Sequence, residues 1–164
     1  MFFPTRTFPK RSWSGLPTRS PVVLGVDPGS RVTGFGVIRE EGSRLIHLRS
    51  GALKTLMKEP FERRLLSIHE GLLHIIRETS PDVMAVETPF YAKNVRSAFV
   101  LAHARGAALL AAAYMKIPVT EYSPMEVKKA TVGYGRAEKG QVSDMIARLF
   151  RLPDDGTLPS SDAS

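Results

Sequence analysis

Cysteine is absent from all 164 residues, which excludes disulfide bridges and thiolate metal centres and fits a reducing compartment such as the cytoplasm. No stretch approaches the roughly 18 consecutive apolar residues of a membrane span, so no membrane association is expected. Histidine is scarce. His47, His69, His74 and His103 show no close ligand spacing with the candidate site acids, and read as surface or boundary residues. Acids are the minority charge, 16 against 23 Lys and Arg, giving a net +7. Polyanions therefore suit this chain as partners. The excess is uneven, however: Arg6, Lys10, Arg11 and Arg19, with no acid among residues 1–20, supply four of the seven net charges. A nucleic-acid surface on the remainder must be a local patch.

Residues 1–20 are rich in Pro, Ser, Thr and Arg, with isolated aromatics at Phe2, Phe3, Phe8 and Trp13 and no periodicity. They read as a basic disordered extension without a secretory h-region, compatible with an upstream start or an organellar transit peptide. Residues 21–164 are long enough for one domain and too short for two catalytic lobes.

Within that domain, apolar runs predict strands at 22–27, near 33–39 and at 44–54, joined by short links bearing Gly29 and Gly42, which favour antiparallel neighbours. Phe61, Leu65, Ile68, Leu72 and Ile76 mark one face of a helix ending before Ser80-Pro81. A fourth strand at 83–87 can return beside the first through that crossover. A long helix over 92–116 carries Val95, Phe99, Ala102, Gly106, Leu109 and Ala113 on one side, with Ala98, Leu101, Ala108 and Ala112 on the other. It reads either as a helix buried on two sides within one domain or as a subunit interface, since small residues let a second helix approach. After a strand near 118–122, Ser123-Pro124-Met125-Glu126 has the pattern of a capped helix start. A break at Gly133-Tyr134-Gly135 precedes a last helix with Val142, Met145, Ile146 and Leu149 on its face.

Two of these strands end in carboxylates. Val22-Val23-Leu24-Gly25-Val26 runs into Asp27 and a Pro-Gly turn, and Val83-Met84-Ala85-Val86 runs into Glu87 before Pro89. An acid at a buried strand end stays ionised only when cations or hydrogen bonds offset its desolvation. Two such ends point to one shared site for a divalent metal or a phosphate-metal complex.

The runs LGVDPGSRVTGFGVI, AVETPFYAKNVRSAFVLAHARG, VKKATVGYGRAEKGQV and RLPDDGTLPSSDAS resemble the RuvC Holliday-junction resolvases, bacterial endonucleases, from about Val22 to the C-terminus. The resemblance implies an α/β ribonuclease H-like fold: a mixed five-stranded sheet, three antiparallel strands followed by parallel ones, flanked by helices. It implies that Asp27, Glu87 and Asp162 are catalytic acids holding two magnesium ions, with manganese a substitute. Hard oxygen donors suit that metal. Lys128 and Lys139 match lysines near the active site that stabilise charge or orient the scissile phosphate. Phe90 matches an aromatic that contacts unstacked bases, and Lys93 and Asn94 fall where a cation and an amide hold phosphates. Arg105 is a candidate for phosphate contact, or else caps a carboxylate at a subunit interface. The implied substrate is the four-way junction, cut symmetrically by a homodimer in recombination and repair, with RuvA and RuvB as partners.

The chain departs from the family pattern in stopping at Ser164, one position before a fourth acid, so the nuclease domain is expected to be truncated at its C-terminal end. Asp154 and Asp155 read as solvated loop acids rather than substitutes. A junction-binding protein with weak or no cleavage is the alternative. A fragment of an actin-like or sugar-kinase ATPase is more remote, because Asp-x-Gly-Ser after a strand also resembles that phosphate loop.

Overall fold

The computed structural model describes residues 20–146 except 43, 89–93, 137, 139, 142 and 143. In chain order it contains β1 (Val22–Asp27), β2 (Val32–Glu41), β3 (Arg44–Lys54), α1 (Phe61–Thr79), β4 (Val83–Glu87), α2 (Val95–Tyr114), β5 (Val119–Tyr122) and α3 (Pro124–Val132). The strands form one sheet in the order β3-β2-β1-β4-β5. β1, β2 and β3 are antiparallel neighbours, and β4 and β5 join in parallel. The mixed sheet expected from the resemblance is therefore present.

Local chemistry accounts for the meander. Gly42 takes a φ of +61° at the β2–β3 turn, a conformation open to glycine without strain. The β1–β4 pair is secured where the two strands begin by Asp82, whose carboxylate accepts the Val22 N–H at 2.8 Å. Helix α1 ends as its sequence indicates, with Ser80 in the left-handed region and its N–H bonded to the Ile76 carbonyl.

Alternation divides the sheet into two faces. Leu24 and Val26 of β1, Val37 of β2 and Met84 and Val86 of β4 form a core with Ile68, Leu72, Ile75 and Ile76 of α1 and Ala104, Ala108, Ala111 and Ala112 of α2. Asp27 and Glu87 are out of phase with that set, at the ends of their strands.

Helix α2 corrects one expectation. It is not buried on two sides: Ala104, Ala108, Ala111 and Ala112 are buried, while Val95, Phe99, Leu110 and Tyr114 are exposed. It is also long and apolar enough to cross a membrane by length and composition, with a hydropathy of 1.3, although no uninterrupted apolar run exists in the sequence. Its alanines pack into the core and its Arg105 is ion-paired to Glu121, which accounts for the apolar composition within the fold.

Candidate functional site

The register brings the two strand-end acids together. Val26 pairs with Val86 in the parallel β1–β4 ladder, so Asp27 and Glu87, one residue further on, stand on adjacent strands about 4.8 Å apart. Asp27 is exposed and Glu87 half-buried. Desolvation raises the proton affinity of Glu87 above the ordinary glutamate value; the neighbouring Asp27 charge raises it further, and Lys128 opposes both. Two like charges, one partly desolvated, form a donor set of hard oxygens that a divalent cation would relieve, so these residues fit a magnesium-type ion.

The loop after Asp27 is held in one shape. Thr33, fully buried, donates its hydroxyl to the Gly29 carbonyl at 2.9 Å and accepts the Gly29 N–H at 3.3 Å. Gly29 has no room for a side chain, because a Cβ there would run into the Val32 carbonyl. Arg64 of α1 is buried and donates to the Ser30 carbonyl and, at 3.3 Å, to the Thr55 hydroxyl, with its guanidinium 5.6 Å from the Phe61 ring centroid. Thr55 in turn donates its N–H to Arg31 and its hydroxyl to Ser30.

On the other side of the acids, Thr88 donates both its N–H and its hydroxyl to the Tyr122 carbonyl, at 2.8 and 3.2 Å, tying the end of β4 to the end of β5. Helix α3 then starts with the expected capping box: the Ser123 hydroxyl accepts the Glu126 N–H at 3.2 Å and Glu126 accepts the Ser123 N–H at 2.8 Å, with Pro124 in the first turn. That start aims Lys128, one turn into α3, toward Glu87. From α2, Arg105 forms an ion pair with Glu121 of β5, and its buried Nε has no acceptor. A cavity of about 170 Å³ lies between these elements, lined by Asp27, Pro28, Glu87, Thr88, Leu101, Arg105 and Pro124.

Of the residues singled out in the sequence, the fold therefore gathers Asp27, Glu87, Lys128 and Arg105. Arg105 does meet a carboxylate, although that acid belongs to its own chain. Asn94 is the N-cap of α2, where its side-chain oxygen accepts the Arg96 N–H at 2.9 Å, leaving its amide N–H groups for other contacts. Phe90, Lys93, Lys139 and Asp162 lie outside the described residues, as do Asp154 and Asp155. Among the described residues no third His, Asp or Glu joins the Asp27–Glu87 pair to complete a metal cluster. Sequence reasoning missed Thr33, Arg64, Thr88 and Glu121. Only Arg64 left a signal, as a cation inside the apolar stripe of α1.

Residues 23–164 match the family described as "Crossover junction endodeoxyribonuclease RuvC". A protein of that name from Citrifermentans bemidjiense is 50% identical over 142 residues, covering 87% of each chain. Its namesake from Geobacter sulfurreducens is 49% identical over 141 residues, covering 86% of each. The structure described as "T. thermophilus RuvC in complex with Holliday junction substrate" superposes with a TM-score of 0.79 at 34% identity, over 85% of each chain.

Proposed function

This chain belongs to the RuvC family of crossover junction endodeoxyribonucleases, and from that premise we propose how its site resolves Holliday junctions. The function is metal-dependent hydrolysis of phosphodiester bonds in four-way DNA during recombination and repair. Family membership over nearly the whole chain removes the ATPase-fragment alternative. The observation that carries the mechanism is the adjacency of Asp27 and Glu87, each one residue beyond the paired Val26 and Val86 at the ends of adjacent parallel strands.

In our reading Asp27 and Glu87 are catalytic carboxylates that hold magnesium, two ions per subunit with manganese a substitute, and Asp162 is the third ligand. When bound, the ions supply Lewis acidity and a water of lowered pKa. Asp27, being exposed, would hold a metal ion on the side open to the substrate. The β4–β5 tie through Thr88 fixes the strand end that carries the half-buried Glu87. Lys128 places a cation beside the acids, where it balances negative charge gathering on the phosphate. Lys139 has the same role in this reading. Phe90 stacks on an unpaired base at the branch point, while Lys93 and the Asn94 amide hold flanking phosphates. Arg105 contributes positive potential from the cavity wall and fixes α2 against β5.

We further propose a homodimer formed through the exposed side of α2, since a two-fold protein matches a two-fold junction. Val95, Phe99, Leu110 and Tyr114 supply apolar area, and Gly106 has open space where a Cβ would stand. A cytoplasmic location follows from substrate access, and RuvA and RuvB are the proposed partners.

The test is a synthetic four-way junction with magnesium, run beside duplex DNA and beside a chelated control. Paired symmetric nicks on the junction alone, lost on chelation, are expected. Binding without nicking would support a junction-binding protein, and equal binding to duplex would defeat the reading.

A further inference from the structure

Arg64 is an unusual buried charge. It is 8% exposed, and its hydrogen-bond acceptors are the neutral Ser30 carbonyl and Thr55 hydroxyl rather than a carboxylate. A buried guanidinium without an acid leaves its positive charge uncompensated beneath the loop that follows Asp27. The two segments it joins are themselves basic. Residues 28–31 and 54–64 contain Arg31, Lys54, Lys58, Arg63 and Arg64 against Glu59 and Glu62. Arg31, Lys54 and Lys58 are exposed and take part in no ion pair among the described residues.

Register fixes where this cluster lies relative to the acids. Asp27 pairs with Gly34 and Gly34 with Ala52, while Val32 pairs with Lys54. Paired residues share a sheet face, and positions two apart on a strand do also, so Lys54 and Asp27 belong to the same face. Two strand spacings sideways and two residues along the strand put the Lys54 backbone about 12 Å from that of Asp27. Charges on a single DNA strand rise 3.4 Å apart along the helix axis, and because the backbone winds around that axis successive phosphates stand about 6–7 Å apart, so that separation is about two phosphates. Gly34 and Ala52 lie between, low enough for a nucleic-acid backbone to pass.

We propose that Arg31, Lys54 and Lys58, seated on the Arg64-pinned loops, form a second phosphate-binding site that grips a duplex arm of the junction about two nucleotides from the bond held at Asp27 and Glu87. The site rests on the resolvase reading and adds to it a fixed distance between grip and cut.

The experiment measures the salt dependence of binding by the full-length protein to a four-way junction without magnesium, comparing wild type with the triple variant R31Q/K54Q/K58Q. The variant's log–log slope is expected to be shallower by about 2 to 3, with an unchanged melting temperature because all three side chains are exposed. Neutral methylphosphonates at the second and third phosphates on either side of the cleavage point should reproduce part of that loss in the wild type and add nothing to the variant. Equal slopes for the two proteins, or methylphosphonate effects that are the same in both, would overturn the proposal. Failure of the resolvase reading is separately visible in the wild type alone, as binding to the junction no tighter than to duplex; the grip is then judged on duplex, where equal slopes overturn it.

Discussion

The carboxylate of Glu87 is harder to ionise because the chain buries it and sets it beside Asp27, with Lys128 supplying partial relief. The folded pKa of Glu87 lies above its unfolded value, so the folded state binds more protons between the two. Stability therefore falls as pH rises through that window and is lowest, on account of this residue, above it. Glu87→Gln removes the burden. We expect it to raise the melting temperature at pH 7–8 in metal-free buffer while leaving it nearly unchanged near pH 4. A variant that melts lower than wild type at neutral pH would mean the carboxylate makes stabilising contacts.

Asp27→Asn tests the other half of the pair. The exposed acid contributes little to packing, so folding and junction affinity should persist while cleavage falls about 1,000-fold, the equivalent of roughly 4 kcal/mol of lost metal-borne stabilisation. The substitution also withdraws the like charge that raises Glu87, so the Glu87 titration, followed by NMR on the side-chain carboxyl, should move toward the ordinary glutamate value. Loss of cleavage together with loss of folded signal would contradict a catalytic role.

Ser123→Ala deletes the hydroxyl that accepts the Glu126 N–H at the start of α3. The expected cost is about 1 kcal/mol of stability. Because α3 carries Lys128 and buries no residue of its own, the cap also governs how well that lysine is aimed. Turnover should drop several-fold at unchanged junction affinity. Restoration by Ser123→Asp, which keeps an acceptor, would separate the cap from a general surface effect.

Most of the fold was legible because its signals are local. The β1 run, the Gly42 turn, the Ser80-Pro81 stop and the Ser123–Glu126 box each act within a few residues, and each stands where the sequence indicated. The pairing of Asp27 with Glu87 was legible for a different reason: a right-handed crossover leaves few places for β4 to go. What stayed hidden depends on contacts distant in sequence. Nothing near Glu121 announces that Arg105 will reach it, and Thr33 reads as an ordinary strand threonine until β1 and β2 close around the Gly29 turn. The environment of α2 was ambiguous because alanine and glycine suit a packed core and a helix–helix seam equally; only the packing of Ala104, Ala108 and Ala111 on one side decided between them.

The Arg105–Glu121 ion pair joins the helix with the exposed apolar side to the strand beside Glu87. Arg105→Ala leaves the exposed Glu121 without its cation, and Glu121→Ala leaves a largely buried guanidinium without its acid. Because Glu121 is about half exposed, each single change should destabilise the protein by only about 1 kcal/mol, and the double variant by less than their sum. Additive losses in a double-mutant cycle, read by urea denaturation, would show that the pair does not act as a unit.

The exposed side of α2 yields the last prediction. Phe99 is 62% exposed and Leu110 61% exposed, and they lie eleven residues apart on one helix, about three turns, and so on one side. In water such a stripe costs free energy until something covers it, and a second copy laid along it would bury both side chains. Phe99→Asp and Leu110→Asp leave the alanine side of the helix untouched, so each monomer should fold, with a far-ultraviolet spectrum like that of wild type. In the dimer the same substitutions would set carboxylates into an apolar seam. Sedimentation at micromolar concentration should then find a dimer for wild type and a monomer for the double variant. Junction cleavage by that monomer should degrade from paired nicks to isolated single nicks, since each subunit still carries Asp27 and Glu87 but the two sites no longer act on one substrate. A double variant that stays dimeric would move the subunit interface away from α2, and paired nicking by a verified monomer would break the link between dimer symmetry and symmetric cutting.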